Sequence, residues 1–138
     1  MPAAREGGRV LLVDDDADTL ETWTQLLRLS GYEVMAAQSG AAALGLATEC
    51  RPHVVILDLS MPDMDGYVLA GRLGEVLSVE PPRIIALTGW ADSKTRERSL
   101  RAGFERHLVK PVTLDALLEA MAGHQPIEVR GLPSPGSD

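Results

Sequence analysis

Cysteine is nearly absent. Cys50 is the single one in 138 residues, so no internal disulfide can staple this chain. Long apolar runs are missing as well: stretches such as 10–13 and 54–57 fall far short of the roughly 20 residues that a membrane-spanning helix needs. The start, Met-Pro-Ala-Ala-Arg-Glu-Gly-Gly, lacks the apolar stretch of a secretory signal, which leaves the cytoplasm as the expected compartment and no membrane partner. Base is in deficit, with 13 Lys and Arg against 20 Asp and Glu and a net charge of −7. That balance argues against a general nucleic-acid binder, because phosphate contacts need clustered Lys and Arg, so DNA would have to be reached through a partner. There is no Gly-Lys-Ser/Thr phosphate loop and no Cys or His cluster with zinc spacing. What is there is 45% hydrophobic and 24% charged residues in a length that suits one domain, enough to bury a core without staples.

The acid is not spread evenly. Seven aspartates fall in two short stretches, 14–18 and 58–65, that contain no Lys or Arg, and the rest of the chain balances at 13 basic and 13 acidic residues. Clustered like charges raise one another's free energy unless a cation or a solvated surface compensates them. The clusters therefore suggest a cation site; the alternative is that aspartates collect in loops because they cap helices and make turns.

Residues 10–13, 54–57 and 84–87 are short continuous runs rich in β-branched residues, which predict strands buried on both faces. Residues 34–37 and 108–109 are weaker strands in the same rhythm. Between them, Leu20, Trp23 and Leu27 recur at helical spacing, as do Leu69, Leu73, Val76 and Leu77, and then Leu114, Leu117, Leu118 and Met121. Residues 39–49 are Ala- and Leu-rich and helical, while Asp92 could cap a helix running to about Ala102 with Gly103 just past its end. Strand and helix alternate throughout, which predicts an α/β fold: a doubly wound, five-stranded parallel sheet with helices on both faces.

In such sheets ligands bind beyond the carboxyl ends of the strands, where strand order reverses. Val13 is followed by Asp14-Asp15-Asp16, Leu57 by Asp58, Leu87 by Thr88, and the fifth strand by Lys110, all on one edge. Several carboxylates, a hydroxyl and an ammonium gathered there make a hard-oxygen cation site with an anion site beside it, an arrangement suited to phosphoryl chemistry. A carboxylate could itself be the nucleophile.

With these residues placed, the chain resembles the receiver domain of a two-component response regulator, a CheY-like, flavodoxin-like fold, over about residues 8–122. The carriers are Leu11-Leu-Val-Asp-Asp-Asp16, Val54-Val-Ile-Leu-Asp-Leu-Ser-Met-Pro-Asp-Met-Asp-Gly66, Ile85-Ala-Leu-Thr88 and Val109-Lys-Pro111, in order and each at a strand end. The resemblance implies that Asp58 accepts a phosphoryl group from a sensor histidine kinase or a histidine phosphotransfer protein in a reaction dependent on Mg²⁺ or Mn²⁺. It implies Asp15 as a direct metal ligand, Asp14 acting through water, Asp58 itself and the Ser60 backbone carbonyl as further ligands, and Asp16 outside the set. Thr88 would hydrogen-bond a phosphoryl oxygen, Lys110 would pair with its charge, and Lys110-Pro111 would be a cis peptide. No enzyme activity is expected beyond the chain's own aspartyl phosphorylation and dephosphorylation.

Two departures from the familiar pattern bear on mechanism. His107 stands where many receivers carry a switching Tyr or Phe, which puts a ring-rotation readout in doubt. Ser60 and Trp90 flank the expected acyl phosphate; serine is a poor aid to an attacking water and Trp90 is bulky enough to cover the site, so slow autodephosphorylation is expected. Five of the 13 basic residues, Lys94, Arg96, Arg98, Arg101 and Arg106, lie in the segment from the fourth helix into the fifth strand. In receivers the face of fourth helix, fifth strand and fifth helix is the usual surface for an output partner or a homodimer; a solvated helix face with local partners such as Glu97 and Glu105 is the other reading. Kinase docking in the family uses the first helix, so 18–27 is a second candidate surface.

The expected organisation is an extension over 1–7, the receiver over 8–124 and a flexible tail or linker stub over 125–138, acting as a stand-alone regulator. The alternatives are a receiver fragment of a larger regulator or hybrid kinase, and a receiver-like module that binds partners unphosphorylated. A dehalogenase-type phosphatase would want a second aspartate where Ser60 stands. An EF-hand loop starting at Asp14 fails at Thr19 and Gln25.

Overall fold

The computed structural model describes residues 8–61, 65–89, 94, 97, 98 and 101–122. The predicted extension 1–7, Trp90, the cap Asp92, Arg96 and the tail 125–138 lie outside the described residues. Strands β1 (Arg9–Val13), β2 (Glu33–Ala37), β3 (Val54–Asp58), β4 (Arg83–Thr88) and β5 (Arg106–Val109) form one sheet in the order β2-β1-β3-β4-β5. Every neighbouring pair is parallel, so each return crosses over the sheet, as the alternating sequence predicts. The crossovers are helices α1 (Ala17–Leu29), α2 (Gly40–Cys50) and α3 (Gly66–Val76), and the last described helix is Leu114–Ala122. Lys94, Glu97, Arg98 and Arg101 are also helical, at the place of the predicted helix before β5. Gly103 follows at φ 89, the left-handed conformation that ends helices and favours glycine.

Side chains alternate across each strand, and the two sets pack on opposite faces. Leu11, Val13, Val55, Leu57, Ile84 and Ala86 join Ala43 and Ala47 of α2 and Leu69 and Leu73 of α3. Val10, Leu12, Val54, Ile56, Ile85 and Leu87 join Leu20 and Leu27 of α1 with Leu117 and Met121 of the last described helix. Leu11, Val55, Leu57 and Ile85 are fully buried, and burying such a side chain contributes about 1.5–3 kcal/mol. The strand ends are thus held by a core of fully buried side chains.

The amino-terminal edge of the sheet is closed by arginines. Arg9 Nε donates to Cys50 O at 2.7 Å and its guanidinium also reaches Arg51 O, while Arg83 Nη2 donates to Ala120 O at 2.7 Å and Arg83 Nη1 to Met121 O. Both satisfy carbonyls that a helix C-terminus leaves without partners. Glu105 pairs with Arg83. Two boundaries differ from the sequence reading: β5 begins at Arg106, because a half-exposed edge strand need not show an apolar run, and Leu77 is the C-cap of α3, its N–H donating to Leu73 O at 3.0 Å.

Candidate functional site

β1 lies inside the sheet, with β2 on one side and β3 on the other, so the order reverses between β1 and β3. Register sets Val13 beside Leu57, Asp58 beside Leu87, and Thr88 beside Val109. Asp14 and Asp58 therefore emerge side by side at the carboxyl edge, next to the place where a parallel sheet opens a crevice.

Asp58 is the last residue of β3 and only 3% exposed. Its Oδ1 accepts the Ser60 N–H at 2.8 Å and its Oδ2 accepts from Lys110 Nζ at 2.9 Å. A carboxylate removed from water needs such partners, since an uncompensated buried charge is costly. Lys110 is placed by its own backbone: its N–H donates to Thr88 O at 2.7 Å, directly past β5. The Lys110-Pro111 peptide is cis, as the resemblance implies. Thr88 ends β4 and is 1% exposed.

Asp14 is buried, and its Oδ1 accepts the Asp16 N–H at 3.0 Å. Burial pushes its carboxyl up from 3.8 to about 6; the Asp16 N–H opposes this, the Asp58 carboxylate adds to it, and Lys110 lowers it. Asp15 is exposed beside them. One ligand oxygen from each of Asp14, Asp15 and Asp58 lies within 4.8 Å of the others. Three carboxylates this close to one ammonium leave an excess of negative charge on hard oxygen donors, the chemistry that suits a small divalent cation.

Asp16 is occupied elsewhere. It is the N-cap of α1, its Oδ2 accepting from Thr19 N–H at 3.2 Å and from the Thr19 hydroxyl, and these bonds hold its carboxyl below the usual range. One acidic stretch thus supplies both carboxylates that could hold a cation and a helix cap, the two readings left open by the sequence. His107 lies half-buried in β5 opposite Ala86, two residues before Thr88 along the same face of the sheet. Of the predicted basic segment, Arg101 pairs with Glu97 at 3.2 Å.

One neighbour was missed by sequence reasoning. Helical spacing places Trp23 on the buried face of α1, and it does pack half-buried against that core; with Asp14, Leu87, Lys110 and Val112 it also lines an open cavity of about 420 Å³ beside the carboxylates. The signal available was its place two turns into the helix that Asp16 caps.

The model of the response regulator receiver domain family matches residues 10–122. Over 110 residues the chain is 41% identical to the transcriptional regulatory protein PrrA of Mycobacterium tuberculosis, a match covering 80% of this chain and 46% of that protein. The chain thus spans about half the length of the curated relative. Among solved structures, a response regulator receiver domain protein from Clostridium thermocellum superposes with a TM-score of 0.74 at 30% identity, covering 82% of this chain and 90% of that one. A response regulator protein from Burkholderia pseudomallei, solved with a phosphorylated aspartic acid, calcium ion and citrate, gives a TM-score of 0.75 at 27% identity over 82% of this chain and 65% of that one. Among the described residues no helix is long and apolar enough to cross a membrane. With a five-stranded parallel sheet, an acidic edge built around Asp58 and a family match across most of its length, the chain belongs to the response regulator receiver domains of two-component signalling.

Proposed function

We propose that this receiver takes a phosphoryl group onto Asp58 from a sensor histidine kinase or a histidine phosphotransfer protein, in the cytoplasm, and that the phosphorylated form alters binding to an output partner. One observation carries the reading: a nucleophile-type carboxylate, buried at the end of β3, has an ammonium at 2.9 Å and two further carboxylates within 4.8 Å. In the step, an Asp58 carboxylate oxygen forms a bond to phosphorus while the phosphorus–nitrogen bond of the donor phosphohistidine breaks, and the departing imidazole takes a proton from water. Lys110 passes from Asp58 Oδ2 to an oxygen of the transferred group, and the Thr88 hydroxyl donates to another. Asp14, Asp15 and Asp58, with the Ser60 carbonyl, would hold Mg²⁺ or Mn²⁺, which supplies neutralisation of the transferred charge. Ser60 and Trp90 govern the approach of water to the acyl phosphate, and His107 accompanies Thr88 in any switch.

The receiver unit in this reading is 8–124, with the face containing β5 and the basic residues Lys94 and Arg106 as the exit for the signal. The test is intact mass after incubation with acetyl phosphate, with and without Mg²⁺, for the wild type and Asp58→Ala. One added phosphoryl group that needs both Mg²⁺ and Asp58 is the expected result. No gain, together with no Mg²⁺ binding by titration, would overturn the proposal in favour of a phosphorylation-independent binding module.

A further inference from the structure

The loop that leaves Asp58 is fixed at both ends. At its start, Leu59 N–H donates to Leu87 O at 2.8 Å and Ser60 N–H to Asp58 Oδ1 at 2.8 Å. At its far end Asp65 caps α3, its Oδ1 accepting the Tyr67 N–H at 2.8 Å. The other oxygen of Asp65 faces a different element: Arg98 Nη2 lies 3.3 Å from Oδ2. The same guanidinium sits 4.0 Å from the centroid of the Tyr67 ring, and Tyr67 stacks on Phe104 with centroids 5.5 Å apart. Phe104 is 4% exposed and belongs to the core on the α2 and α3 face, so the clasp is anchored. Arg98 thus joins two stretches that each descend from a site strand end, the loop after Asp58 and the helical residues after Thr88. The Leu59–Leu87 hydrogen bond joins them at their roots.

We infer that Arg98 is a positioning residue, a clasp over Asp65 and Tyr67 that restrains the stretch following Thr88 against the loop following Asp58. This rests on the reading of Asp58 as phosphoacceptor. Accepting a phosphoryl group requires Lys110 Nζ to leave Asp58 Oδ2 and the Thr88 end of β4 to adjust to new oxygens. A tie between the two loops favours the arrangement in which the Lys110–Asp58 pair is direct. The clasp is exposed, with side chains 61% and 45% accessible for Arg98 and Asp65, so its effect is a modest bias rather than a lock. Planar stacking on Tyr67 together with a carboxylate contact is a geometry arginine fills and lysine fills only in part.

The experiment compares the wild type, Arg98→Ala, Arg98→Lys and Tyr67→Leu, with the pair Arg98→Ala and Tyr67→Leu combined. Phosphorylated fraction is read by intact mass at subsaturating acetyl phosphate with Mg²⁺, amide hydrogen exchange is read across 59–66 without donor, and thermal unfolding serves as control. Arg98→Ala is expected to raise the phosphorylated fraction, relative to unphosphorylated protein, about two- to fivefold and to speed exchange in 59–66 by a similar factor, the size of an exposed ion pair plus a cation–ring contact. Arg98→Lys should recover part of both, and the double variant should add little to either single one. Unchanged or lowered phosphorylation in Arg98→Ala overturns the inference, as does full additivity in the double variant. A wild type that gains no phosphoryl group defeats the reading of Asp58 instead; the clasp is then decided by exchange alone, and unchanged exchange in Arg98→Ala refutes it.

Discussion

Asp14→Asn should stabilise the metal-free fold, and only at neutral or alkaline pH. A carboxyl whose folded-state pKa stands above its unfolded one binds its proton more tightly when folded, so ionising it costs stability. For Asp14 that cost is absent below its unfolded value of 3.8, grows as the pH rises, and is complete above about 6. A rise of this size corresponds to at most about 3 kcal/mol, at about 1.4 kcal/mol per tenfold change in proton affinity. Water reaching the rim of the site screens it, leaving about 1–2 kcal/mol. Asparagine keeps the acceptor for the Asp16 N–H and the shape of the side chain while removing the charge that meets Asp58. The assay is urea unfolding in EDTA at pH 4 and pH 8, repeated at pH 8 with saturating Mg²⁺. The variant should be more stable than the wild type at pH 8 and close to it at pH 4, and Mg²⁺ should stabilise the wild type more than the variant. Equal stability at pH 8, or a gain of the same size at pH 4, would refute the electrostatic account of this acidic edge.

Lys110→Ala removes the partner of a buried carboxylate; it should destabilise the metal-free protein by about 1–3 kcal/mol at pH 8 in urea unfolding, and much of that loss should disappear in an Asp58→Asn background. Gly45→Ala and Gly71→Ala place a methyl group where nothing lies within 4 Å inside α2 and α3, so each should add about 0.5–1 kcal/mol, or about 2–4 °C in Tm by calorimetry, without altering phosphorylation. Ser39→Ala deletes the oxygen that accepts the Ala42 N–H at the start of α2 and should cost about 1 kcal/mol in the same assay. Replacing Trp90 with alanine should shorten the life of the aspartyl phosphate in the intact-mass time course; an unchanged decay would remove Trp90 from the control of water.

What could be read in one dimension depended on how each element is buried. Strands β1, β3 and β4 are covered on both faces, so their sequences are continuous apolar runs that announce themselves, and the chemistry-bearing residues follow at once as Asp14, Asp58 and Thr88. The edge strand β5 is half-exposed and carries Arg106 and His107, so its composition looked like loop for two residues beyond the strand expected there. Caps were half legible: four aspartates between 14 and 18 could not be divided into candidate ligands and cap by type alone, and it is Thr19, whose N–H and hydroxyl take Asp16, that makes Asp16 the cap. Contacts between distant residues were legible only where a motif supplied the partner. Lys110 and Asp58 are 52 positions apart and were matched through the order of strand ends, whereas Arg98 and Asp65, 33 positions apart, share no pattern that pairs them. Arginine 98 read as one more charge on a basic segment. Its contact with Tyr67 comes from packing between elements, beside the Phe104 ring that stacks on Tyr67 and enters the core, a three-dimensional relation with no period in the sequence. The acidic site is therefore a property of strand ends, which hydrophobic patterning places well. Any device that couples those ends sits in loops and helix faces, where side-chain placement is decided by packing between elements and must be read from the folded chain.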